Sequence, residues 1–129
     1  MKKRFSKSWI KSTQKRKQRK YRRNAPLHIV GKFMSVHLSK ELRKKYGKRS
    51  IRVRKGDSVK ITRGQFRKKT GKVVDVSLTR RKVYIEGIQQ IKKDGTKSFY
   101  PLEPSNLMIT SLELGDKIRK EKLEKKNAP

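Results

Sequence analysis

Cysteine is absent from the 129-residue chain, which removes disulfides, thiolate nucleophiles and the cysteine-built zinc frameworks together. Acid is scarce: ten Asp and Glu stand against forty Lys and Arg, for a formal charge of +30. Hydrophobic residues make up only 31%, against roughly 45–50% in ordinary globular domains, so one small core is within reach and a chain-wide core is not. Long apolar runs are missing too. Stretches without Lys, Arg, Asp or Glu, such as Asn24 to Gly31, are too short and polar to span a bilayer, and no apolar signal segment follows the basic start. These absences fit a reducing, cytoplasmic setting with no membrane partner. A chain so charged repels itself until a polyanion neutralises it.

The side chains for catalysis are also thin on the ground. There is no H-E-x-x-H, no P-loop and no nucleophile elbow, and the acids are scattered singly. His28 and His37 lie outside the strand pattern, with no further His or Cys to complete a metal shell. The reading is therefore of a binding protein, not an enzyme, with no cofactor and no metal.

What is present is ordered along the chain. Residues 1–24, MKKRFSKSWIKSTQKRKQRKYRRN, carry twelve Lys and Arg and no acid. A segment this polar cannot bury enough surface to offset its ordering entropy, so it reads as an arm that is disordered when unbound and orders on nucleic acid. Its aromatics, Trp9 and Tyr21 among them, have faces on which bases can stack. They are equally able to dock on the protein's own domain. Residues 25–49 read as a linker with an apolar patch (Leu27, Ile29, Val30, Phe33, Met34) and a short helix: Ser39 is a cap, Glu41 sits in the first turn, Leu42 and Tyr46 share a face, and Gly47 stops the helix. Its cations, Lys40, Arg43, Lys44 and Lys45, suit a solvated face and phosphate contacts equally.

Residues 50–110 switch to period two. DSVKIT offers Val59 and Ile61 to one side, GKVVDVSL offers Val74, Val76 and Leu78, and KVYIEG offers Val83 and Ile85. Asp94-Gly95 suits a two-residue I′ hairpin turn, and NLMIT supplies a last strand closing the sheet. Five short strands with tight connections predict a mainly β fold, a small barrel. Residues 111–129 read as a polar C-terminal helical tail with Asp116 near its cap.

Between the first two barrel strands lies RGQFRKKTGK. Arg63, Arg67, Lys68, Lys69 and Lys72 crowd one rim there, bracketed by Gly64 and Gly71, which allow positive φ or close backbone approach. Such crowding costs stability unless phosphates occupy the rim. Phe66 either stacks on an unpaired base or, the better fit, covers the open end of the barrel. Gln65 either reaches a base edge or is solvated. Thr79-Arg80-Arg81 forms the next turn.

These residues carry a resemblance. VRKGDSVKITRGQFRKKTGKVVDVSLTRRKVYIEGI resembles a KOW motif, with Gly71 as its fixed glycine. With RKYRRNAPLHIVGKFMSVHLSKELRKKYGKRS before it and YPLEPSNLMITSLELGDK after it, the chain is similar, over about residues 15 to 126, to the universal large-subunit ribosomal protein family L-twenty-four, whose eukaryotic members are called L-twenty-six. Its compact loop and lack of a long charged C-terminal extension suit an archaeal-type member. The resemblance implies an SH3-like barrel that binds large-subunit ribosomal RNA early in assembly and lies near the tunnel exit, beside other ribosomal proteins and within reach of tunnel-exit factors. It implies RNA contacts at the arm cations Lys15, Arg16, Lys17, Arg19, Lys20, Arg22 and Arg23 and at the loop from Arg63 to Lys72, and the reading of the arm itself adds Tyr21 and Asn24. To these the reading adds Arg80 and Arg81. The alternative is a free-standing KOW-domain transcription factor or RNA chaperone.

Overall fold

The structure is a computed structural model that describes residues 5–125. The parts of the predicted arm and tail beyond those limits lie outside the described residues. In chain order the elements are helix α1 (Lys15–Asn24), helix α2 (Leu27–Phe33), strand β1 (Ser35–Leu38), helix α3 (Lys40–Tyr46) and strands β2 (Ser50–Arg52), β3 (Ser58–Ile61), β4 (Thr70–Ser77), β5 (Lys82–Ile85), β6 (Gln89–Ile91) and β7 (Lys97–Phe99). A 3₁₀ turn (Pro104–Asn106), strand β8 (Leu107–Ser111) and helix α4 (Lys117–Glu124) complete the chain. The fold is mainly β, as predicted.

Six strands form one sheet in the order β2-β1-β8-β3-β4-β5, and β6 and β7 form a separate hairpin. The sheet curls around a core of Val36, Leu38, Val59, Ile61, Val73, Val83, Ile85 and Ile109, each at most 3% exposed. The strand expected to close the sheet is instead central. β8 runs parallel to β1, with Leu38 opposite Ile109, and antiparallel to β3, with Val59 opposite Ile109. β1 comes from the segment read as a linker. Its four residues alternate apolar and polar too briefly to stand out, yet Val36 and Leu38 are fully buried.

Two other expectations are corrected. Val74, expected inside, is 40% exposed, whereas Val73 is buried. The ladder to β5 pairs Val73 with Ile85 and Asp75 with Tyr84, so a bulge at Val74 resets the alternation and brings Val76 opposite Val83. The hairpin turn is also longer than the two-residue kind. Lys92 N–H bonds Thr96 O at 2.8 Å, Gly95 N–H bonds Lys92 O at 3.0 Å, and Gly95 alone in the loop has positive φ (85°). An I′ turn needs positive φ at Asp94 as well, so a three-residue loop with a left-handed glycine forms instead.

α3 ends as its sequence signals: Ser39 Oγ accepts from Leu42 N–H at 3.4 Å, and Gly47 adopts the left-handed conformation, φ 64°. α4 is fastened more strongly than a polar tail requires. Arg119 donates from Nη1 to Asp57 Oδ1 (2.7 Å) and from Nη2 to Asp57 Oδ2 (2.6 Å), with both side chains buried. The same carboxylate accepts from Arg54 N–H (3.0 Å) and Glu113 N–H (2.9 Å). Arg119 Nη1 also donates to Glu113 O at 2.8 Å. Leu123, 1% exposed, supplies the apolar part of the anchor.

Candidate nucleic-acid interface

The arm is where the structure departs most from the sequence reading. Instead of disorder, Lys15 to Asn24 form a ten-residue helix. Isolated helices shorter than about 12–15 residues are marginal in water, and α1 buries none of its residues fully, so its support has another source. Tyr21 supplies it. Its ring stacks on Trp9 at 4.6 Å and 13°, lies 5.0 Å from Phe5, and meets Phe33 of α2 edge-on at 6.1 Å. Such pairs add roughly 0.5–1.5 kcal/mol each beyond the area they bury. Composition undervalued this segment because four rings far apart in sequence make the cluster. Tyr21, expected to contact RNA, packs against Trp9, Phe5 and Phe33, and its edge-on contact with Phe33 joins the arm to α2.

With the rings turned inward, the α1 cations are left on the outside. Lys15, Arg16, Lys17, Arg19, Lys20, Arg22 and Arg23 are all exposed, while Asn24, the last helical residue, is half-buried. Arg22 and Arg23 lie in the last turn, where the helix dipole favours cations. The β4–β5 turn reaches this end of α1. An Arg81 guanidinium nitrogen donates to Arg22 O, and the Arg81 and Arg22 guanidinium carbons each lie 5.7 Å from the Phe33 ring centre, within cation–π range. Arg80 beside it is exposed.

The β3–β4 loop is tightly built. Lys68 N–H bonds Ile61 O at 2.8 Å, Ile61 N–H bonds Lys69 O at 2.9 Å, and Arg67 N–H bonds Gly64 O at 3.2 Å. Phe66 covers the core: half-buried, it meets Tyr100 edge-on at 5.0 Å, with Lys69 Nζ 5.1 Å from its ring centre. Its lid position leaves Arg63, Gln65, Arg67, Lys68, Lys69 and Lys72 exposed along the rim. Gly64 has φ 98°, a conformation that favours glycine. Gly71 serves differently. A Cβ there would fall 2.7 Å from both Glu86 O and Ile85 Cγ2, so its role is close approach of β4 to the end of β5.

Two of these cations carry backbone strain. Among the described residues, Lys68 (φ 72°) and Arg81 (φ 56°) are the non-glycine residues in the left-handed region, one in each basic turn. That conformation costs an L-residue roughly 1–2 kcal/mol. Charge is equally uncompensated: the ion pairs among the described residues are Arg54–Asp116, Lys55–Asp75, Lys82–Glu103 and Arg119–Asp57. None uses a cation of α1, of the loop rim, or Arg80 or Arg81. Three or more His, Cys, Asp or Glu never gather at one place among the described residues, and His37 Nδ1 lies 3.2 Å from the Arg43 guanidinium. No described helix is long and apolar enough to cross a membrane.

Residues 12–126 match the family of ribosomal proteins described as L26 in eukaryotes and L24p in archaea. The chain belongs to this family. It is also 48% identical, over 117 residues, to the large ribosomal subunit protein uL24 of Korarchaeum cryptofilum (strain OPF8), an alignment covering 91% of this chain and 89% of that protein. Members of this family are structural proteins of the cytoplasmic ribosome rather than enzymes, and this chain is an archaeal-type member. The match includes α1, the rim loop and the β4–β5 turn, so the basic surface lies within the family's domain and not in an appendage to it.

Proposed function

We propose that this chain is a structural constituent of the large ribosomal subunit and that it binds large-subunit ribosomal RNA through α1, the β3–β4 loop and the β4–β5 turn. The observation that carries this reading is the set of cations without acidic partners on α1, the loop rim and the turn, among them the exposed Lys68 and the half-buried Arg81, both held in strained backbone at the loop tips. Strain of this kind persists where the surrounding structure over-determines it, and it concentrates at binding sites. The mechanism is replacement of counterions along folded RNA, with guanidinium forks adding bidentate contacts. The curled sheet sets the spacing between loop and helix, so recognition follows RNA shape more than base sequence.

The family resemblance extends the reading to binding early in subunit assembly, to a position near the tunnel exit, and to neighbouring ribosomal proteins and tunnel-exit factors as partners. The test is sedimentation of a cell lysate followed by chemical footprinting. The protein should travel almost wholly with large subunits, and its removal should expose a defined patch of large-subunit RNA near the exit. A protein found mainly at the top of the gradient would instead be a free KOW-domain factor.

A further inference from the structure

α1 and the β4–β5 turn border an open surface cleft of about 520 Å³. Arg19, Arg22 and Arg23 line one wall, and Arg80, Arg81 and Lys82 line the other. The one acid on the lining, Glu103, is paired with Lys82, which leaves five guanidinium groups without a carboxylate. Resting on the RNA-binding reading above, we infer that this cleft seats a single sugar-phosphate strand, whose phosphates are held from both walls at once.

Three observations support this occupant. Cations from two separate elements border the cleft, so a strand lying along it meets both walls, whereas the outer face of a duplex is convex and meets one wall at a time. The lining offers no aromatic platform for a base, so it is the backbone that is held. The spacing of the walls is also fixed in the protein. Arg81, turned by its left-handed backbone, donates to Arg22 O and lies over Phe33. Its buried Nε has no hydrogen-bond partner among the described residues. Arg81 is thus the positioning residue of the cleft, and Arg23 and Arg80, both exposed, are its free jaws.

A double-mutant cycle on the full chain tests this. Arg23→Gln, Arg80→Gln and the double variant are titrated with an oligouridylate of about a dozen nucleotides, within the ~4–16 typical of single-strand sites, and with a blunt RNA duplex of equal length. On the oligouridylate each single variant should lose about 5–10-fold in affinity. The double should lose little more than one single variant, because groups in one network are non-additive. On the duplex, which meets one wall at a time, each single variant should lose at most about twofold, because the other wall still binds. In an Arg81→Lys background, which keeps the charge and loosens the walls, the two losses on the oligouridylate should multiply. Far-ultraviolet circular dichroism matching the parent checks that each variant is folded. Losses that multiply on the oligouridylate in the parent background, or no loss at all, would overturn the cleft while leaving RNA binding intact. A parent protein that bound neither RNA would overturn the RNA-binding reading itself.

Discussion

Asp57 and Arg119, 62 residues apart, meet in a buried bidentate pair at 2.6 and 2.7 Å. Every other contact of the carboxylate is with a backbone N–H, those of Arg54 and Glu113. Removing one partner leaves a buried charge uncompensated, which costs roughly 3–5 kcal/mol. Arg119→Met should therefore lower thermal stability sharply, whereas the apolar double variant Asp57→Leu/Arg119→Met should recover part of the loss. Thermal unfolding of the three proteins checks it, and a single variant as stable as the parent would show that the pair carries no weight.

Gly71→Ala should destabilise the fold by roughly 1–3 kcal/mol, the range for overpacking. The added methyl would meet the Glu86 carbonyl and Ile85 at 2.7 Å. Gly64→Ala has open space around it and meets only the left-handed backbone penalty, about 1–2 kcal/mol. A crystal structure of Gly71→Ala should show β4 shifted away from the end of β5; for Gly64→Ala the strands should stay in place.

Lys68 sets stability against binding. Lys68→Gly relieves a strained backbone costing roughly 1–2 kcal/mol and adds back about 0.4–1 kcal/mol of unfolded-chain entropy. Its melting temperature should hold or rise slightly while RNA affinity falls. Chemical denaturation and RNA titration on the same preparation measure both. A clear loss of stability would show that Lys68 is held for packing and not for its charge.

The strand residues Val59, Ile61, Val83 and Ile85, the α3 caps and the basic loop were all legible in the sequence, because each depends on neighbours within a few positions. What escaped depended on distant partners. β1 becomes a strand only beside β8 and β2, and the Val74 bulge is visible only against β5. Arg119 looks like one more tail cation until Asp57 is placed beneath it. The arm escaped for the same reason, since Phe5, Trp9, Tyr21 and Phe33 give no periodic signal. Capping Asp and Gly signals were within reach, but no local pattern marks an aromatic cluster that spans two segments.

The aromatic cluster makes the order of the arm measurable without RNA. Trp9 is the chain's single tryptophan, and it is stacked on Tyr21. Tyr21→Ala should shift Trp9 emission to the red and reduce helical circular dichroism in the free protein. Identical spectra for parent and variant would return the arm to disorder.

Asp116 gives a pH test. It caps α4 by accepting from Ile118 N–H at 3.0 Å and pairs with Arg54. The Arg54 bond first, then the Ile118 bond, hold its carboxyl below the ordinary 3.8. Because the fold favours the ionised form, this contribution is complete above the unfolded value and is lost as pH falls through the lower folded one. Loosening of the start of α4 should therefore begin below pH 3.8, and Arg54→Gln should raise the Asp116 titration midpoint in an NMR titration. An unmoved midpoint would remove Arg54 as the cause.

The central claim is that unpaired cations on a rigid frame neutralise RNA phosphates, and the salt dependence of affinity for a large-subunit RNA fragment tests it most directly. The parent should show a slope of log affinity against log salt of about −4 or steeper, the release expected for five or six phosphates at roughly 0.7–0.9 each. Replacing Arg67, Lys68 and Lys69 together with Ala should flatten the slope by at most about 3 and reduce the preference over an unrelated structured RNA. A parent slope near zero, or a triple variant with slope and preference both unchanged, would contradict the account.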